Sequence, residues 1–111
     1  MKGKRSSYDV VIIGGGPAGI GAAVVLGRCL RNVLVIDSGK GRNRDTRAMH
    51  GFLTREGISP ARFLRLAKEQ MGPYAIEWRS GEATAVERKA DGFSVGLKHG
   101  AAVQARKVLL A

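Results

Sequence analysis

Three glycines and an aspartate carry the spacing with the most chemistry in it. Gly14, Gly16 and Gly19 fit G-x-G-x-x-G within VVIIGGGPAG at residues 10–19. Gly14 permits a tight turn, and Gly16 lets a pyrophosphate approach the backbone. Gly19 lets the following helix pack closely on the preceding strand. Pro17 stands where a first helical residue belongs, with its φ already set for a helix. The helix N-terminus behind it offers unpaired N–H groups and the positive end of a dipole, which together hold a phosphate. Asp37 supplies the second half of the pattern. It closes the apolar run at 33–36 and lies 18 residues beyond Gly19, near the ~20 expected for an acid that accepts hydrogen bonds from a ribose. The chemistry implied is dinucleotide binding. The competing reading is an ordinary strand–helix–strand unit with a glycine turn and a chance acid.

Other candidates are weaker. The stretch 38–59 has almost no apolar periodicity and contains Arg42, Asn43, Arg44, Arg47 and Arg55. A segment this long without regular structure is usually functional or disordered, and it starts where a ligand's ribose belongs. Arg42 and Asn43 are therefore candidates for contact with a pyrophosphate or the rest of a cofactor, against the alternative of a solvated loop. His50 precedes Gly51 and Phe52, where the loop turns back onto the core. A histidine there can transfer protons near neutral pH, or simply make a structural hydrogen bond. His99, before Gly100, reads as a turn residue. Cys29 is the only cysteine, so no disulfide within the chain and no cysteine-rich metal site is possible. It falls on the glycine-started helix and reads as a buried, inert thiol.

The elements that position these residues follow from periodicity. A first strand is expected over 8–13 and a helix from Pro17 to about Arg31, with Ile20, Ala23, Val24 and Gly27 at helical spacing and Asn32 as its stop. A second strand follows at 33–36, parallel to the first. Ser59 and Pro60 start a second helix as N-cap and first helical residue. Phe63, Leu64, Ala67, Gln70 and Met71 form its apolar face, and Gly72 with Pro73 ends it. From Ala75 onward the period changes to two. Asp91 and Gly92 signal a hairpin turn; Phe93, Val95 and Leu97 alternate with small or polar residues. A returning strand at 103–107 and a fresh buried run at 108–110 complete an antiparallel three-stranded meander inserted before another core strand. The fold class expected is α/β, with a parallel sheet built on a strand–helix–strand unit.

Composition bounds the partners. The 111 residues suit one domain. A formal charge of +10 from 19 Lys+Arg and 9 Asp+Glu favours anionic ligands. The basic residues are scattered, however, and aromatics make up only 5%, so a base-stacking surface for nucleic acid is not expected. Residues 10–27 carry no charge, but six glycines and a proline interrupt them. A turn in mid-membrane would leave backbone groups unpaired, so no membrane span is expected. A reducing, cytoplasmic setting fits the single cysteine.

With these residues in view, the chain resembles the amino-terminal part of a thioredoxin-reductase-like flavoprotein, a family of two-domain FAD- and NAD(P)H-dependent oxidoreductases. The resemblance runs from Tyr8 to Ala111. It rests on VVIIGGGPAGIGAA, VLVIDSG, the GRN at 41–43, HGFLTREGISP at 50–60 and the terminal KVLLA. It implies a Rossmann-like FAD-binding fold over 8–111, incomplete at the C-terminus, after a flexible basic N-terminus at 1–7. It also implies that FAD, rather than NAD, occupies the fingerprint. Gly14, Gly16, Gly19 and the N–H groups around Pro17 and Ala18 would hold its pyrophosphate. Asp37, where the family more often has glutamate, would bind the ribose, with Ser38 beside it. Arg42 and Asn43 would run along the cofactor, Ala83 would give a backbone contact to adenine, and His50 would lie near the flavin.

The resemblance further implies an NAD(P)H domain and a carboxy-terminal flavin-domain piece, both absent from this chain, and commonly a homodimer. The Cys-x-x-Cys pair of the disulfide-reducing branch is also absent here. The leading expectation is the FAD-binding portion of an NAD(P)H-dependent oxidoreductase that passes electrons to a small disulfide, a thioredoxin-like protein or another acceptor. The alternatives are a non-catalytic nucleotide-binding module or truncated gene fragment, an NAD-dependent dehydrogenase, and a nucleic-acid binder.

Overall fold

The computed structural model describes residues 6–39 and 57–111. Eight elements follow in order: β1 (Ser7–Ile13), α1 (Pro17–Arg28), β2 (Val33–Asp37), α2 (Pro60–Met71), β3 (Ile76–Ser80), β4 (Ala83–Lys89), β5 (Gly92–Leu97) and β6 (Val103–Leu110). The strands form one six-stranded sheet in the order β3-β2-β1-β6-β5-β4. β1 lies parallel to β2, with Val11 opposite Leu34, and parallel to β6, with Val11 opposite Val108. β3 lies parallel to β2, with Trp78 opposite Val35. β4, β5 and β6 are antiparallel.

Alternation along the strands sorts the core into two clusters. Ile12, Val33 and Val35 pack with Ile20 and Ala23 of α1 and with Ala67 and Met71 of α2. Both helices therefore cover one face. Val11, Leu34 and Ile36 point the other way and join Val95, Val103 and Ala105. The antiparallel half of the sheet thus covers the helix-free face of the parallel half. β2 is buried over four successive residues, as a central parallel strand with both faces covered should be. Each fully buried Ile or Leu contributes roughly 1.5–3 kcal/mol.

A polar tie crosses three strands. The Tyr8 hydroxyl donates to Glu77 Oε1 at 2.6 Å, and Arg79 Nη2 donates to the Tyr8 oxygen at 3.0 Å and to Glu77 Oε2 at 2.7 Å. β1 and β3, which flank β2, are thereby joined side chain to side chain. Gly27 performs the matching task on the helix side. A Cβ there would lie 2.8 Å from Ile76 Cδ1 and 3.0 Å from Tyr74 Cβ, so a larger residue would have to push these side chains aside for α1 to close on the start of β3.

The structure departs from the sequence expectations in several places. β3 is a parallel core strand; the antiparallel meander begins only at Ala83. The runs at 103–107 and 108–110 form one continuous strand, β6, which pairs with β5 through its first residues and with β1 along most of its length. Residues 108–110 are not deeply buried, and Leu110 is 75% exposed. α1 stops at Arg28, so Cys29 is an exposed cap residue rather than a buried helical thiol. Asn32 does not end the helix: it belongs to β1's hydrogen bonding, its N–H donating to Asp9 Oδ2 at 2.8 Å. At the N-terminus, Ser7 already lies in β1 and the Ser6 carbonyl accepts from Gln104 N.

Candidate functional site

The carboxyl ends of β1, β2, β3 and β6 lie side by side, because these four strands are parallel neighbours. β1 sits at the centre, with its helix connection leading to β2 on one side and β6 arriving on the other. Such a reversal of strand order is where open α/β sheets bind ligands. The glycine turn leaves β1 at that point. Gly14 N donates to the Ile36 carbonyl at 2.9 Å, and Ala111 N donates to the Ile13 carbonyl at 3.0 Å. The turn is therefore held by both flanking strands.

The four consecutive positions of the turn have different surroundings. Gly14 has φ +122°, and a Cβ on it would lie 2.5 Å from the Ala111 carbonyl oxygen. A Cβ on Gly15 would lie 2.6 Å from Trp78 Cη2 and 2.7 Å from Asp37 Cγ. A Cβ on Gly16 would meet no atom of the described residues within 4 Å. Pro17 is the first helical residue. Gly19, buried two residues later, faces back onto the Gly14 carbonyl oxygen, where a side chain would collide with backbone.

The two helix N-termini differ in a way that bears on function. Ser59 caps α2, its hydroxyl accepting from Arg62 N at 3.2 Å. α1 has no side-chain cap and no acid in its first turn. Its exposed start, at Gly16 and Ala18, presents backbone donors and the positive end of the dipole. Asp37 ends β2 beside this opening. Its Oδ1 accepts from Gly39 N at 3.1 Å, and among the described residues its other oxygen has no hydrogen-bond donor. Ser38 follows on the exposed side. Gly81 N donates to the Asp37 carbonyl at 2.9 Å, and the chain then turns through Glu82 into Ala83. Ala83 is half-buried, opposite Leu97, and packs against the helix-free core.

The structure thus gathers Gly14, Gly16, Ala18, Gly19, Asp37 and Ser38 at one end of the sheet and places Ala83 one short turn away. Arg42, Asn43 and His50 lie outside the described residues. His99 is exposed in the β5–β6 connection, in keeping with a turn residue. Among the described residues no group of three or more His, Cys, Asp or Glu could hold a metal ion, and no helix is long and apolar enough to cross a membrane.

Sequence reasoning missed Gly15, Trp78 and Lys68. Trp78 lies against Gly15, and Lys68 Nζ stands 4.5 Å from the centroid of its ring. The available signal was the third glycine of the GGG run, which the fingerprint does not require.

Comparison with known proteins agrees with this geometry. Residues 8–111 match the family described as pyridine nucleotide-disulphide oxidoreductase. A protein of Arthroderma benhamiae named "Probable thioredoxin reductase" is 36% identical over 97% of this chain and 28% of its own length. An alkyl hydroperoxide reductase component from Staphylococcus aureus is 31% identical over 96% of this chain and 22% of its own. The crystal structure of an oxidoreductase from Agrobacterium tumefaciens superposes with a TM-score of 0.85 at 36% identity, covering 94% of this chain and 36% of that one. The chain therefore spans about a third or less of the length of these relatives.

Proposed function

The chain belongs to the pyridine nucleotide-disulphide oxidoreductase family, and from that premise we propose that it is the FAD-binding portion of an NAD(P)H-dependent oxidoreductase resembling thioredoxin reductase. In this reading electrons pass from NAD(P)H through FAD to a small disulfide, a thioredoxin-like protein or another acceptor, and the complete protein is a homodimer in the cytoplasm. The flavin, when bound, supplies the hydride and electron-transfer chemistry. This chain's residues bind and orient it.

The roles divide by what each group can donate or accept. The N–H groups of Ala18 and Gly19 hold the pyrophosphate at the start of α1, with Gly14 making the tight turn and Gly16 leaving room for the ligand. The Asp37 carboxylate accepts from the adenosine ribose, and Ser38 flanks it. The backbone at Ala83 meets the adenine. Arg42, Asn43 and His50 complete the reading along the cofactor and near the flavin.

The observation that carries the proposal is the pairing of an uncapped helix start with open space at Gly16. Nothing among the described residues needs Gly16 to lack a side chain: its φ of −80° and ψ of −174° are extended backbone, which a β-branched residue adopts readily. A ligand does need it. The test is an FAD titration of the purified chain and its Gly16→Val variant, followed by flavin fluorescence and thermal unfolding. The expected result is FAD binding by the parent and none by the variant, at closely similar unfolding temperatures. A folded Gly16→Val chain that still binds FAD as the parent does would overturn the assignment.

A further inference from the structure

Trp78 packs against the helix-bearing core and also reaches the glycine turn, a contact that the fingerprint does not explain. It lies on β3 opposite Val35, two positions before the Asp37–Ser80 pair that ends the parallel ladder. It is only partly buried, so part of the ring lies beyond the core. Its Cη2 edge and the Asp37 carboxylate both crowd Gly15, each closer to an added Cβ than real Cβ contacts come. The Lys68 ammonium stands over its face, 4.5 Å from the centroid. An indole has a negative face and a positive edge. The cation therefore meets the face, an attractive arrangement, while the Cη2 edge is turned toward the glycine turn that Asp37 also borders.

We propose that Trp78 is a positioning residue for the nucleotide, its ring edge holding the Asp37 carboxylate in one orientation over Gly15 so that Oδ2 is presented to a ribose diol. The inference rests on the nucleotide-binding reading given above and deepens it. Three constraints set the orientation of Asp37. Gly39 N engages Oδ1, Gly15 provides the floor, and Trp78 closes the side. Without the ring, the carboxylate can turn into the vacated space, and the ribose must then reorder it on binding. Lys68 acts one step further out, pressing the ring against the turn.

The test uses this chain with ADP, which carries the ribose and pyrophosphate but no flavin. Affinities are measured calorimetrically for the parent, Trp78→Leu, Trp78→Phe, Asp37→Asn and the double variant Trp78→Leu/Asp37→Asn, with thermal unfolding recorded for each. Trp78→Leu is expected to weaken ADP by about tenfold, the scale of one hydrogen bond to a charged group. Trp78→Phe, which restores an aromatic edge, is expected to recover most of that loss. In the Asp37→Asn background, Trp78→Leu is expected to cost nothing further, because its effect runs through the carboxylate. An equal loss in both backgrounds, or ADP binding by Trp78→Leu at parental strength, overturns the proposal. If Trp78→Leu fails to fold, Trp78→Phe decides: near-parental affinity supports the role, and loss as large as in Asp37→Asn refutes it. Failure of the parent to bind ADP overturns the nucleotide-site reading itself, and with it this one.

Discussion

At the scale of residues, three neighbouring glycines are indispensable for three separate reasons, and only two of those reasons can be read from spacing. Gly19 must be small because it faces the Gly14 carbonyl oxygen. The fingerprint anticipates that closeness, since helix and strand are joined through the turn itself. Gly16 faces open space, which the fingerprint also anticipates, as room for a ligand. Gly15 is different. Its neighbours are Trp78 and Asp37, which come from other strands, and no local pattern reports them. Gly15→Ala should therefore behave unlike Gly16→Val. Its methyl must displace either an aromatic ring or a carboxylate anchored near its own Cβ, a crowding that costs about 1–3 kcal/mol. Urea unfolding of the variant should give a lower midpoint, and FAD affinity should fall as well because Asp37 moves. Unchanged stability would mean that Trp78 swings aside freely.

The Tyr8 hydroxyl makes a similar point. Nothing near Tyr8 in sequence predicts a partner at Glu77 or Arg79. Pairing parallel strands on either side of β2 brings the three together. Tyr8→Phe removes a hydrogen bond to a carboxylate while leaving Glu77 its link to Arg79. The expected loss is about 1.5–3 kcal/mol, measured as a lower urea midpoint with the same slope. A midpoint equal to the parent's would show that the tie adds nothing.

At the scale of elements, both helix starts were legible and one helix end was not. Pro17 and Ser59–Pro60 mark their N-termini by residue type, and the structure begins α1 and α2 at those prolines. The end of α1 lacks the glycine that usually marks it. Leu30 N donates to the Gly27 carbonyl and Arg31 N to the Leu26 carbonyl, the two bonds of a Schellman termination. The left-handed position falls on Leu30, with φ +60° and 89% of its surface exposed. A leucine here gains little burial and strains its backbone, at a cost of roughly 1–2 kcal/mol. Leu30→Gly relieves the strain but loosens the unfolded chain, which takes back about half of the gain. The net expectation is a stabilisation of about 0.5–1 kcal/mol, seen as a rise in unfolding temperature with no change in FAD affinity. A fall would show that the exposed leucine is making contacts that outweigh its conformation.

The strands tell a related story. The meander from β4 onward was legible in its alternation. The split between 103–107 and 108–110 was not real, because one strand can be flanked on both sides along part of its length and on one side along the rest. β6 alternates where it borders β5 and turns apolar where it runs on beside β1. Periodicity sees two patterns there, whereas backbone pairing makes them one element.

At the scale of the whole molecule, the sheet's two faces are unequally covered. The helix-free face is closed by the antiparallel strands. The helix-bearing face is closed over β1, β2 and β3 by α1 and α2, but among the described residues no helix lies above β6. An open apolar groove of about 560 Å³ results, lined by Val25 and Leu26 of α1 and by Val108 and Leu109 of β6. Val25 is 63% exposed and Leu109 40%. Contiguous apolar surface of this kind drives association or dye binding. The 111-residue chain is therefore expected to enhance the fluorescence of an apolar dye and to self-associate as its concentration rises, despite a net charge of +10 that opposes both. Val25→Lys tests the location. It places a charge on the rim of the groove, replaces a β-branched residue with a better helix former, and gives up little buried area. Dye emission should fall by about half or more and sedimentation should shift toward the monomer. The unfolding temperature should hold or rise slightly, because the substitution touches no packed core. If emission and association persist unchanged, the apolar surface responsible lies elsewhere, and the gap above β6 is closed in solution by the chain itself.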